Sequence, residues 1–178
     1  MRARRTWRAA SEQHRRGTVA PPYPVGLLLD GRRVVVVGAG HVAQRRMTTL
    51  LGSGAAVTLV SPAIHPELRA LVDDGLIGWQ PRRYADGDLD EAWYAMAATD
   101  DAAVNAAVAA EADRRRIFCV RADDASGGTA WTPASAQHGS ITVAVLAGRN
   151  PRRAAATRDA LLAALRAGAG DEPPDGDG

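Results

Sequence analysis

Arg33-Val34-Val35-Val36-Val37, running into Gly38-Ala39-Gly40-His41-Val42-Ala43, decides how this chain folds. Four consecutive valines without alternation read as a strand buried on both faces, as in a parallel sheet. Gly38 permits a tight turn after the strand. Gly40 lets the backbone approach a pyrophosphate, and Ala43 is small enough for close helix–sheet packing, which completes a GxGxxA dinucleotide fingerprint. Residues 42–51 read as a helix stopped by Gly52 and Gly54, and its free N–H groups and positive dipole end face the phosphates. Ala56-Val57-Thr58-Leu59-Val60 is a second buried strand, stopped by Ser61-Pro62. The fingerprint alone is weak. Set between a buried strand, a helix and a second strand, it predicts a nucleotide site rather than a bare strand–helix turn.

Outward from this unit, the pattern repeats. Residues 65–73 read as a helix, 76–80 as a short strand, 93–98 as a fourth strand, 101–116 as an Ala-rich helix and 117–120 as a fifth strand. This alternation predicts an α/β fold, a Rossmann-like doubly wound parallel sheet. After residue 122 the pattern changes: 129–135 and 140–146 read as an antiparallel pair turning at Gln137-His138-Gly139, and Asn150-Pro151 opens a last helix to about Arg166. A hairpin plus one helix cannot enclose a core, which predicts packing against a second copy. The chain divides into a disordered basic tail (1–22), a nucleotide-binding domain (23–122), a dimerisation and substrate region (123–167) and an acidic flexible tail (168–178).

Composition removes whole classes of mechanism. All 22 basic residues are Arg, so no Schiff-base, P-loop or Ser-Lys chemistry is available. The single Cys, Cys119, excludes an intrachain disulfide and multi-cysteine metal sites, and the four His lack metal-ligand spacing. The pI of 9.2 comes mostly from six Arg within residues 1–22. The basicity is therefore a tail property and no nucleic-acid partner is expected. No apolar run reaches the ~18–20 residues of a membrane span, and no apolar segment follows the first arginines as in a signal peptide. A thiol-poor chain of this kind is expected in the cytoplasm.

Several residues are placed to carry chemistry. Where an acid usually holds the ribose at the end of the second strand, this chain has Ser61, which binds a hydroxyl without repelling a 2′-phosphate; NAD and NADP both fit at this point. Arg45 and Arg46 lie about a turn into the first helix and read as a solvated face. Thr99, after the fourth strand, is placed near the nicotinamide half, and Asp101 caps the following helix. Asn105 lies near the crevice. Asp123 and Asp124 follow the fifth strand on a loop, where a carboxylate serves either as a base or as a turn residue. Arg121, Arg149, Arg152 and Arg153 gather at the junction with the C-terminal piece, in position to clamp an anion.

Taken together, "GRRVVVVGAGHVAQRR", "AVTLVSP", "AWYAMAATDDAAVNAAVAAEADRRRIFCV", "ADDASGGTAWTPA" and "ITVAVLAGRNPRRAAATRDALLAAL", in this order over residues 23–165, resemble the bifunctional precorrin-2 dehydrogenase/sirohydrochlorin ferrochelatase family, a module of siroheme synthases. The resemblance implies NAD-dependent oxidation of precorrin-2 to sirohydrochlorin, then insertion of ferrous iron, itself a substrate, to give siroheme. It implies a homodimer through the hairpin and last helix. By position, the family's catalytic carboxylate falls on Asp123. Cofactor-binding residues would be Gly38, Gly40, His41, Val42, Ala43, Ser61 and Thr99; substrate-binding residues Arg121, Arg149, Arg152 and Arg153; no resident metal is implied. Val120, where relatives often carry Asn, and Leu146-Ala147-Gly148, where they carry a Ser-containing stretch, depart from the pattern. The competing reading is an NAD(H)-binding regulatory module without catalysis. Under the enzyme reading, the glycine turn and Asp123 open onto one pocket.

Overall fold

A computed structural model describes residues 21–168; the two tails expected at 1–22 and 168–178 lie almost wholly outside them. The valine run forms β1 (Arg33–Val37), followed by α1 (His41–Gly52), β2 (Ala56–Val60), α2 (Pro66–Asp73), β3 (Gly78–Gln80), β4 (Tyr94–Ala97), α3 (Ala102–Arg115) and β5 (Phe118–Arg121). The five strands pair in parallel in the order β3-β2-β1-β4-β5. Val34 to Val37 stand beside Val57 to Val60 on one side and Tyr94 to Ala97 on the other. β1 is thus the central strand from which the order runs both ways, the doubly wound arrangement expected from the sequence.

Successive valines of β1 point to opposite faces. Val34 and Val36 join a core with Ala43, Met47 and Leu50 of α1 and Leu68 of α2. Val35 and Val37 join a second core with Val108, Ala109 and Ala112 of α3. This is why the run lacks alternation: both faces are covered. On the α3 side, the fully buried Glu111 accepts hydrogen bonds from Tyr84 and from Gly87 N, and pairs with Arg115 at 2.7 Å. Its charge is therefore satisfied, and it anchors the loop before β4.

Beyond β5 come β6 (Ala134–His138), β7 (Ile141–Val145) and α4 (Pro151–Gly168). The hairpin is antiparallel, but it starts later and turns later than the sequence suggests, through Gly139-Ser140. The cause is the edge of the main sheet. Cys119 N donates to Thr129 Oγ1 at 2.9 Å, and Ala130 N donates to Cys119 O at 3.0 Å, so residues 129–130 run along β5 instead. Pro133, which cannot donate to a ladder, separates the two pairings.

Candidate functional site

Gly38 sits at φ +102, a conformation that disfavours any residue with a Cβ. A Cβ there would also overlap the carbonyl of Ala98 after β4. Its N–H donates to Val60 O at 2.9 Å, so the turn is pinned between β2 and β4. Gly40 differs: its φ of −91 is ordinary, and a Cβ would meet nothing within 4 Å. The fold does not require glycine at 40, whereas a close ligand would.

Gly40 is the N-cap of α1, which has no side-chain cap and no acid in its first turn. The other three described helices are capped: α2 by His65 Nδ1, α3 by Asp101, α4 by Asn150 Oδ1 accepting from Arg153 N at 3.0 Å. Only α1 leaves its first N–H groups to something outside the protein, the donor set a pyrophosphate takes. Ala43 is fully buried, as close helix–sheet packing requires. His65 N donates to Ala39 O at 2.8 Å and the His65 ring lies edge-on to His41 at 4.6 Å, which holds the β2–α2 loop over the turn. In that loop the Ser61 hydroxyl donates to Ala63 O at 2.7 Å, so it keeps only acceptor capacity.

Thr99 does not present a free hydroxyl. It is locked to the fully buried Asn105: Thr99 Oγ1 donates to Asn105 Oδ1 at 2.8 Å, and Asn105 Nδ2 donates to Thr99 O at 2.9 Å. Asn105 also lies near Asp123 and helps, after Arg121, to keep its carboxyl low. Asp101 caps α3 through bonds from Ala103 N and Val104 N, as its position suggests.

The two loop acids separate. Asp124 Oδ1 accepts from Ser126 N and Ser126 Oγ, which makes it a turn residue. Asp123 is paired with Arg121 through two bonds: Nη2 to Oδ2 at 2.6 Å and Nε to Oδ1 at 3.2 Å. The guanidinium holds the Asp123 carboxyl below the usual carboxylate range. Cys119, beneath this loop, is buried, which pushes its thiol up to about 11 and leaves it inert.

At the carboxyl ends of β4 and β5, a cleft of about 780 Å³ separates the sheet from the C-terminal piece. Val42, in the first turn of α1, and Asp123 both line it, as do Arg121 and Arg149, whereas Gly38, Gly40, His41, Ala43, Ser61 and Thr99 are not part of the lining. Arg152 and Arg153, grouped with these from the sequence, are exposed and lie outside the lining. Arg45, Arg46 and Arg158 line it instead. The sequence did carry a signal for the first two. Val42, Arg45 and Arg46 share one stripe of a helix by their spacing, beside the Ala43–Met47–Leu50 core stripe. Among the described residues, no group of three His, Cys, Asp or Glu could hold a metal.

A doubly wound parallel sheet whose glycine turn feeds an uncapped helix defines a dinucleotide-binding protein, and a family model described as NAD(P)-binding matches residues 25–134. A precorrin-2 dehydrogenase of Bacillus subtilis is 35% identical over 131 residues, covering 72% of this chain and 80% of that protein. A siroheme synthase of Chromobacterium violaceum is 40% identical over 149 residues, covering 83% of this chain. The chain spans 32% of the length of that synthase. A solved structure, "SirC, precorrin-2 dehydrogenase", superposes with a TM-score of 0.69 at 29% identity, covering 80% of this chain and 71% of that one. The chain belongs to the NAD(P)-binding family that includes these precorrin-2 dehydrogenases and the matching third of siroheme synthases.

Proposed function

We propose that this chain is a precorrin-2 dehydrogenase that uses NAD to form sirohydrochlorin, and that the same cleft then inserts ferrous iron to give siroheme. One observation carries the reading: Val42, in the first turn of the helix that the glycine turn feeds, and Asp123 line one cleft. The first-turn N–H groups of α1 would hold the pyrophosphate, with room for it at Gly40. Ser61, its own proton committed to Ala63, accepts from a ribose 2′-OH and offers nothing to a 2′-phosphate, which favours NAD over NADP. When bound, the nicotinamide supplies the hydride acceptor.

The chain's own part is to orient the macrocycle and move a proton. Asp123 accepts one proton from the macrocycle as the hydride leaves, which balances a two-electron, two-hydrogen oxidation. In chelation the same carboxylate accepts protons from ring nitrogens that iron displaces. Both roles need Arg121 to loosen its two bonds, and an incoming substrate carboxylate is a competing partner for that guanidinium. Residues 123–167 complete the cleft and, in this reading, join two copies into a homodimer. Only Ala154 of α4 is buried, while Ile141, Leu146 and Leu161 are exposed. No described helix is long and apolar enough to cross a membrane, and the thiol-poor composition fits the cytoplasm.

The test supplies precorrin-2 and NAD and follows NADH absorbance, then adds ferrous iron and follows the macrocycle spectrum. NADH formation that Asp123→Ala abolishes, with NAD affinity retained, is the expected result. Tight NAD binding without any turnover would replace the enzyme reading with that of an NAD(H)-sensing module.

A further inference from the structure

Among the described residues, five arginines and a single acid, Asp123, line the cleft. Two of the five are already engaged: Arg121 holds Asp123, and Arg158 pairs with Asp159, each at 2.6 Å. Among the described residues, Arg45, Arg46 and Arg149 have no carboxylate within ion-pair distance. Three guanidiniums facing one concavity repel each other unless an anion lies between them. The wall opposite α1 supports the same conclusion. The Arg149 guanidinium stands 5.3 Å over the Trp131 ring, which orders it before any ligand arrives. Between these walls the surface is apolar, through Met96, Val120 and Leu146, and the buried Thr132 hydroxyl faces Tyr94 without completing a hydrogen bond.

We infer that Arg45, Arg46 and Arg149 are the carboxylate clamp of this cleft, built for a flat ligand carrying acidic side chains on opposite edges. This deepens the proposed function and rests on it: the ligand is the polycarboxylate macrocycle. An apolar strip takes the ring, and forked guanidiniums on both sides take the carboxylates. Arg45 and Arg46 add register. They lie on α1 one turn beyond Val42, so one rigid helix fixes the cofactor at its N-terminus and the substrate edge roughly 5 Å further along. The reacting atoms are thereby set against each other by a single element. Arg121 is a positioning partner of Asp123 rather than a primary clamp, and Arg152 and Arg153 lie outside.

The experiment compares the wild-type chain with R45Q/R46Q and R152Q/R153Q. It measures KM and kcat for precorrin-2, the Kd of NAD, and binding of sirohydrochlorin by quenching of tryptophan fluorescence at several salt concentrations. In R45Q/R46Q, KM should rise at least about tenfold with the loss falling on KM rather than kcat, and sirohydrochlorin affinity should lose most of its salt dependence. R152Q/R153Q should move KM less. An unchanged KM and unchanged sirohydrochlorin affinity in R45Q/R46Q would overturn the clamp. So would a rise confined to the Kd of NAD, which would assign the arginines to the cofactor. If the wild-type chain binds sirohydrochlorin salt-dependently without oxidising precorrin-2, the catalytic reading fails while the clamp stands. If it binds no tetrapyrrole, both fall.

Discussion

The nucleotide-binding half and the C-terminal half of this chain solve the burial problem in opposite ways. Outside residues 29–119, Ala154 is the only buried apolar side chain among the described residues. The five-stranded sheet carries a helix layer on each face and closes two cores within one chain. The hairpin has a single helix on it, and neither of its strands contains a buried residue. The first half is stable by its own packing; the second reaches comparable burial only against another surface. The cleft takes one wall from each, so its sheet-and-α1 side is rigid by construction and its other side depends on what the hairpin and α4 meet.

The sharpest way to break this comparison is at the glycine turn. Gly38→Ala places a Cβ into the Ala98 carbonyl at a positive φ. The loss should exceed the roughly 1–3 kcal/mol of a strained conformation alone, read as a collapse of the thermal unfolding temperature. Gly40→Ala meets open space, so only its place at the N-cap should cost stability, about 1 kcal/mol or less, while NAD affinity falls. Equal damage from both substitutions would mean that Gly40 serves the fold and not a ligand.

Next in size is Asp123→Asn, which should lower turnover by about 10²–10⁴ with unfolding unchanged, because the side chain is partly exposed. In the proposed function the Asp123 carboxylate is the base, and it must be ionised to work. Arg121 holds its pKa below the ordinary value, so activity is present above that pKa and lost as pH falls through it. Arg121→Gln removes the depressing charge and should move the acid limb of kcat/KM upward in pH. A limb that stays in place would separate Arg121 from the base.

The second half is tested by Ile141→Arg with Leu161→Arg. Both side chains are nearly half exposed in the single chain, at 46% each. Within one chain the changes should therefore cost little. If two copies meet here, wild-type unfolding temperature rises with protein concentration and the variant's does not. Sedimentation of both proteins checks the same point.

The same contrast explains what could be read in advance. The valine run, the glycine turn and the strand–helix alternation are local signals, and the doubly wound parallel sheet follows from them. The Asp101 cap is local too. The Arg121–Asp123 pair was also within reach, since residues i and i+2 of an extended segment share a face. The hairpin limits were not, because Thr129 and Ala130 bond to Cys119, ten residues or more earlier in the chain and on another sheet. The choice between Arg152–Arg153 and Arg45–Arg46 was legible only in part: spacing puts Val42, Arg45 and Arg46 on one helix stripe, but not that stripe against the cleft. All four are exposed helix arginines in sequence, and only the approach of α4 to the sheet decides which ones face the cleft.

The smallest effect lies at the far edge of the first half, where Arg82 pairs with Asp88 at 2.5 Å and Ala85 N donates to the same carboxylate at 2.8 Å. Arg82, first, and the Ala85 amide hold the Asp88 carboxyl below its ordinary value. A depressed carboxylate stabilises the fold above its unfolded pKa of about 3.9, and that contribution disappears as pH falls through the folded pKa. With Arg82 largely in solvent, Asp88→Asn should cost no more than about 1 kcal/mol near pH 7. The difference from wild type should shrink steadily in melts carried out below about pH 4. A difference that persists at low pH would mean that the Ala85 bond and packing, not the charge, hold this loop. That would place it with the cores of the first half, whose stability does not depend on ionisation.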